Sequence, residues 1–156
     1  MSKEERIEKV LWSIALLGFK QLLNGEFFKG LLLIVLEFLI NVQSNFNKII
    51  IYSFQGDIQA AIDHVNYDWL MFHPCLYMFS IWDAYRDASG GKLPYSFLPY
   101  AFSTYFVTVG LIYSSSLKVF GVLLGPVFLP ILFLIPGISI GLLMQFALRN
   151  LDIFRT

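Results

Sequence analysis

Between Lys118 and Arg149 the chain runs thirty residues without a formal charge, through Val122, Leu123, Val127, Phe128, Ile131, Leu132, Phe133 and Leu134. About 20 mainly apolar residues suffice for a helix to cross about 30 Å of hydrocarbon. The stretch therefore predicts one long span over 119–147, bent by Pro126, Pro130 and Pro136. Composition points the same way: of 156 residues, 57% are apolar, 17% aromatic and only 14% charged. An ordinary soluble domain carries roughly a quarter charged residues, so too few polar groups remain here to coat a water-facing globule.

Three further stretches meet the same requirement. Residues 27–44 are interrupted only by Lys29 at the start and Glu37 in the middle, and residues 97–113 form an uncharged, aromatic-rich segment. The third, 67–85, holds fourteen uncharged residues from Trp69 to Trp82 between Asp68 and Asp83. Tyr67 and Trp69 stand at one end and Trp82 and Tyr85 at the other, and such amphipathic rings favour the two headgroup layers. Eighteen helical steps cover about 27 Å, close to the hydrocarbon thickness. Val10 to Phe19 is too short to span. Glu4, Glu5 and Glu8 dilute the basic start that a signal peptide needs, so removal of this segment is not expected.

The distribution of cations sets the expected orientation. If residues 1–26 form an interfacial or re-entrant arm, Lys3, Arg6, Lys9, Lys20, Lys29, Arg86, Lys92, Arg149 and Arg155 lie on the cytoplasmic side, and only Lys48 and Lys118 lie outside. A full crossing by the arm would leave five inside and six outside, which is no bias. The sequence thus predicts an all-α integral membrane protein in a single membrane domain, 1–156. Its form is a four-helix transmembrane bundle with an N-terminal interfacial or re-entrant helix and both termini cytoplasmic. Asn45 to Asn66 reads as a long outer loop in which Asp57 caps a short helix with Ile58, Ala61, Ile62 and Val65 on one face. Ser89, Gly90 and Gly91 read as an inner turn, and Ser114 to Ser116 as an outer one.

Eleven basic and eleven acidic side chains cancel, leaving no field for nucleic acid. Cys75, His64 and His73 supply neither a disulfide nor a metal-ligand set. No catalytic motif with a nucleophile and its base is present, so neither enzymatic activity nor a cofactor is expected.

Glu37 is the most informative polar residue, because an acidic group in hydrocarbon costs about 2.5 to 3.5 kcal/mol on insertion scales. At helical spacing it aligns with Gly30, Ile34, Asn41 and Ser44, opposite a stripe of His73, Tyr77, Ser80, Ala84 and Asp87 on the second span. Glu37 then serves either as an intramembrane proton or cation site with His73, or as a hydrogen-bonding anchor between helices; the anchor is favoured. His73 precedes Pro74 and is expected to satisfy a carbonyl freed by a kink. Gly121 with Gly125, and Gly137 with Gly141, have the spacing that lets helices approach closely. Asp83 and Asp87 beside Arg86 read as a salt bridge at the cytoplasmic interface.

Gly18-Phe19-Lys20-Gln21-Leu22-Leu23-Asn24-Gly25-Glu26-Phe27-Phe28-Lys29-Gly30 resembles the G-x-G-Q-x-Y-N-G-x-x-x-K-G pattern of small bacterial membrane proteins. A similar pattern opens some Gram-positive sugar ABC-transporter permeases. Gly18, Gln21, Gly25, Lys29 and Gly30 fit it, whereas Lys20 and Leu23 stand where Gly and Tyr are usual. Trp82-Asp83-Ala84-Tyr85-Arg86-Asp87-Ala88 is similar to the D-A-Y-x-x-A element of several of these proteins, on Asp83 and Tyr85. The resemblance implies a bacterial plasma membrane and no particular chemistry. Small size and short loops leave helix faces as the main asset. The expected role is therefore a non-enzymatic accessory or assembly subunit of a larger bacterial membrane complex, such as a transporter, with the lipid bilayer and other membrane subunits as partners. The alternative is a small transporter or channel subunit working through Glu37 and His73.

Overall fold

The computed structural model describes residues 11–12, 17–23, 25–89 and 93–153, without the side chains of 88, 89, 152 and 153. Lys3, Arg6, Lys9, Asn24, the Gly90–Gly91 turn with Lys92, and Arg155 lie outside the described residues. Among the described residues the regular structure is helical, apart from one small ribbon. The helices are α1 (Phe19–Leu23), α2 (Phe27–Ser44), α3 (Phe46–Phe54), α4 (Ile58–His64), α5 (Tyr67–Leu70), α6 (His73–Ser89), α7 (Leu98–Ile112) and α8 (Gly125–Ile153). The ribbon pairs β1 (Lys118–Val119) with β2 (Val122–Leu123) in antiparallel register.

Helix α2 lies against α5 and α6, and α7 against α6 and α8. Lys29 meets Asp83 at one end of the α2–α6 pair, and at the other end the Asn66 N–H donates to Ser44 O at 3.2 Å. The α7–α8 pair is tight because small residues let the backbones touch. A Cβ on Gly137 would stand 2.8 Å from Ser103 Cα, one on Gly110 2.9 Å from Pro130 Cα, and one on Gly141 would overlap Pro99 Cα. These contacts mark one continuous antiparallel register along the pair.

The densest apolar packing lies at the end away from the arm. There Ile49, Ala61, Leu70, Leu111 and Val127 are buried together, with Phe46, Tyr52, Val65 and Phe128 against them. Residues 45–66, expected as a loop with one helix, instead fold as α3 and α4 and roof this core. The reason is Asn45, which adopts φ 58° at the end of α2, a conformation that Asn tolerates better than most residues. Its carbonyl accepts from Lys48 and Ile49 N–H to start α3, and its side chain donates to His64 O at 3.1 Å. The expected cap is present on α4, where the Ala60 N–H donates to Asp57 Oδ1 at 3.1 Å.

Two other boundaries differ from expectation. The 67–85 segment is not one helix: it breaks after Leu70 and restarts at His73. Pro74 cannot donate to the ladder, and the first turn of a helix is where that loss is tolerated. The last helix begins at Gly125 rather than 119. Phe120 and Gly121 both take positive φ, 51° and 82°, the pairing that closes a two-residue hairpin. Gly121 and Gly125 therefore do not form a helix-packing pair. Gly121 sits in the ribbon turn, and Gly125, at φ 70°, lies against Ile58.

Two helices, Phe27–Ser44 and Gly125–Leu151, are long and apolar enough to cross a membrane, and only 22% and 28% of these windows is buried inside the protein. Helix α7 is apolar but has 15 residues, about 22 Å. Helix α6 carries Asp83, Arg86 and Asp87 in its last turns.

Candidate functional site: a buried ionic clamp

The N-terminal motif folds as one unit against α2. Helix α1 ends in two nested bonds: Glu26 N–H donates to Gln21 O at 2.9 Å and Gly25 N–H to Leu22 O at 3.0 Å. This closure requires a left-handed residue, which Gly25 supplies at φ 82°. Gly18, at φ 80°, sits so close to Gly30 O that a Cβ would overlap it. The arm thereby doubles back and presents Lys20 and Gln21, both fully buried, to the last turns of α6.

There the two motifs meet. Lys20 Nζ donates to Ala84 O at 2.9 Å and to Asp87 Oδ2 at 3.0 Å. Gln21 Nε2 donates to Asp83 Oδ2 at 3.0 Å, an oxygen that also pairs with Lys29 Nζ. Arg86 Nη2 donates to Asp83 Oδ1 at 2.8 Å. Its guanidinium lies 4.7 Å from the Trp82 ring centroid and 3.7 Å from Asp87 Oδ1. Lys29 also reaches Glu26 at 3.5 Å. Lys20, Lys29 and Arg86 thus balance Asp83, Asp87 and Glu26. Asp83 is fully buried, so its carboxylate needs this convergence to offset desolvation. The salt bridge expected between Arg86 and Asp83 and Asp87 is present, with Arg86 and Asp87 partly exposed and only Asp83 buried.

Oxygens of Glu26, Asp83 and Asp87 lie within 4.8 Å of one another, a spacing suited to a hard cation. The ammonium and guanidinium groups already neutralise these carboxylates, so the arrangement works as a clamp between the arm, α2 and α6. Lys20 carried no signal in the sequence beyond its apolar neighbours Leu17, Phe19, Leu22 and Leu23. The Tyr85 ring packs 6.1 Å from that of Tyr100.

Of the mid-helix polar residues, Glu37 and His73 both approach Tyr77, whereas Asn41 pairs elsewhere. Glu37, half-buried, accepts from the Leu17 backbone N–H and lies near enough to Tyr77 to act on it electrostatically. Asn41 donates to Asn47 Oδ1 at 3.4 Å. His73 stacks on Tyr77, with centroids 5.5 Å apart and planes 16° apart, and leans on Phe46 at 4.6 Å. The carbonyl-satisfying role expected of His73 gives way to ring packing, and among the described residues no ion pair joins it to Glu37. Replacing Glu37 by Gln is expected to leave unfolding within about 1 kcal/mol of the parent, because an amide oxygen still accepts from Leu17. Glu37→Leu orphans that N–H and should cost about 1 kcal/mol, in line with intramembrane hydrogen bonds. Equal stability of the Leu variant in detergent unfolding would refute the anchor.

No family model, curated protein or solved structure matches this chain.

Proposed function

We propose that this chain is a four-span protein of a bacterial plasma membrane, both ends cytoplasmic, serving as a non-enzymatic accessory or assembly subunit of a larger membrane complex. The observation that carries this reading is the division of labour between its surfaces. Lys20 and Asp83 are turned inward onto partners in the clamp, while most of the long apolar helices faces outward. Phe28, Leu31 and Phe38 on α2, and Ile135, Leu143 and Phe146 on α8, are all more than half exposed. A helix in a soluble core would bury such residues; here they suit lipid and neighbouring helices. The nine-to-two cation split and the resemblance of the two motifs support the orientation and the bacterial setting. Glu37 and His73 both neighbour Tyr77, and among the described residues no ion pair joins them, so the alternative of transport through this pair has less support than the anchor.

Purification of the tagged chain from its native membrane in a mild detergent tests the role. Stable recovery with larger membrane subunits is expected, and recovery as a lone monomer would overturn it.

A further inference from the structure

Helices α6, α7 and α8 line a half-open crevice of about 510 Å³. Its apolar lining is Met78, Ile81, Ile138 and Leu142, the last half-exposed at the mouth, whereas Tyr85, Ser96, Tyr100 and Gln145 line it near the ends of α6 and α8 and the start of α7. That is the same end of the molecule as the clamp. A smaller cavity of about 180 Å³ shares Tyr77, Met78 and Leu134 with it and prolongs the crevice toward the opposite end. The lining thus grades from polar toward mainly apolar along one direction, with His73 and Tyr77 the polar side chains of the deeper part.

Charge completes the pattern. Arg149 lies one helical turn beyond Gln145, on the same face of α8, and is exposed. Lys20, Lys29 and Arg86 are engaged in the clamp, whereas Arg149 has no ion pair among the described residues. We propose that the crevice binds one acyl chain of an anionic phospholipid from the cytoplasmic leaflet, with the phosphate held beside Arg149 at the polar mouth. This rests on the membrane placement proposed above. Size selects the occupant: a helix about 10 Å across and about 20 Å long displaces about 1,600 Å³, some three times the cavity, while a single file of methylenes needs far less.

The test uses the full chain in phosphatidylcholine vesicles containing phosphatidylglycerol with a photoreactive acyl chain, with adducts mapped by peptide mass. Adducts should concentrate on the segments holding Met78, Ile81, Ile138 and Leu142, and unlabelled phosphatidylglycerol should compete better than phosphatidylcholine. Arg149→Gln should lower crevice labelling about fivefold, the equivalent of about 1 kcal/mol for one basic group at an anionic surface. Leu142→Trp, at a half-exposed position, should fill the mouth and remove crevice adducts while sparing those on α2. Even labelling of α2 and the crevice, or equal competition by phosphatidylcholine, would overturn the site. Carbonate extraction of the chain from membranes, or failure of Asp57→Cys to label from outside intact cells, would overturn the placement itself. A chain that passes both yet gives no crevice adducts refutes the lipid site alone.

Discussion

Asp83→Ala is expected to destabilise the protein by about 3 kcal/mol, at the low end of what removing one partner of a buried ion pair costs. The side chain is fully buried and accepts from Gln21 and Arg86 while pairing with Lys29. Its loss does not strand all three equally. Lys29 and Arg86 are 33% and 43% exposed and can turn to water or headgroups, which holds the cost down. Gln21 is fully buried and cannot, so its amide loses its acceptor without replacement. Glu26→Ala, which touches only the exposed side of Lys29, should cost no more than about 0.5 kcal/mol. Reversible unfolding in mixed detergent micelles, followed by helical circular dichroism, measures both. An Asp83→Ala cost below about 1 kcal/mol would mean that the clamp does not hold the arm.

Gly141→Val should be comparably damaging for a steric reason. The first carbon of any side chain there overlaps Pro99 Cα, and Leu98 O lies 2.8 Å away. Both neighbours are backbone and cannot swing aside, so α7 and α8 must separate along their closest stretch. Overpacking costs about 1–3 kcal/mol where side chains can adjust, and the upper end is expected here. Ala147→Val, on an exposed position of the same helix, should shift stability by no more than about 0.5 kcal/mol. The same unfolding measurement separates the two, and matching behaviour would refute the close approach.

The all-helical character and the 27–44 helix were legible because both follow from local signals: apolar run length, and Asn45 beyond the last turn. Gly18 and Gly25 were visible only as members of a motif; both take the left-handed backbone that glycine permits. The ribbon at 118–123 was not legible. Its residues are nearly as apolar as the helix that follows, and the positive φ of Phe120 and Gly121 marks where the chain reverses. The break at 71–72 was not legible: a kink at Pro74 within one continuous span was expected, whereas the first turn of α6 accommodates Pro74 and the interruption falls before it.

The ionic clamp divides in the same way. The sequence singled out Gln21, Lys29 and Asp83 within two motifs, and local spacing fixes Arg86 beside Asp83, three residues away on a helix. That Lys20 is buried, and that it reaches Ala84 and Asp87 across 64 and 67 residues, depends on how the arm folds under α2 and how α6 returns beside it. Run length, turns and helix neighbours are determined within a few residues. Which cation meets which carboxylate, and whether water reaches the pair, are determined by the packing of segments the chain brings together only when it is folded.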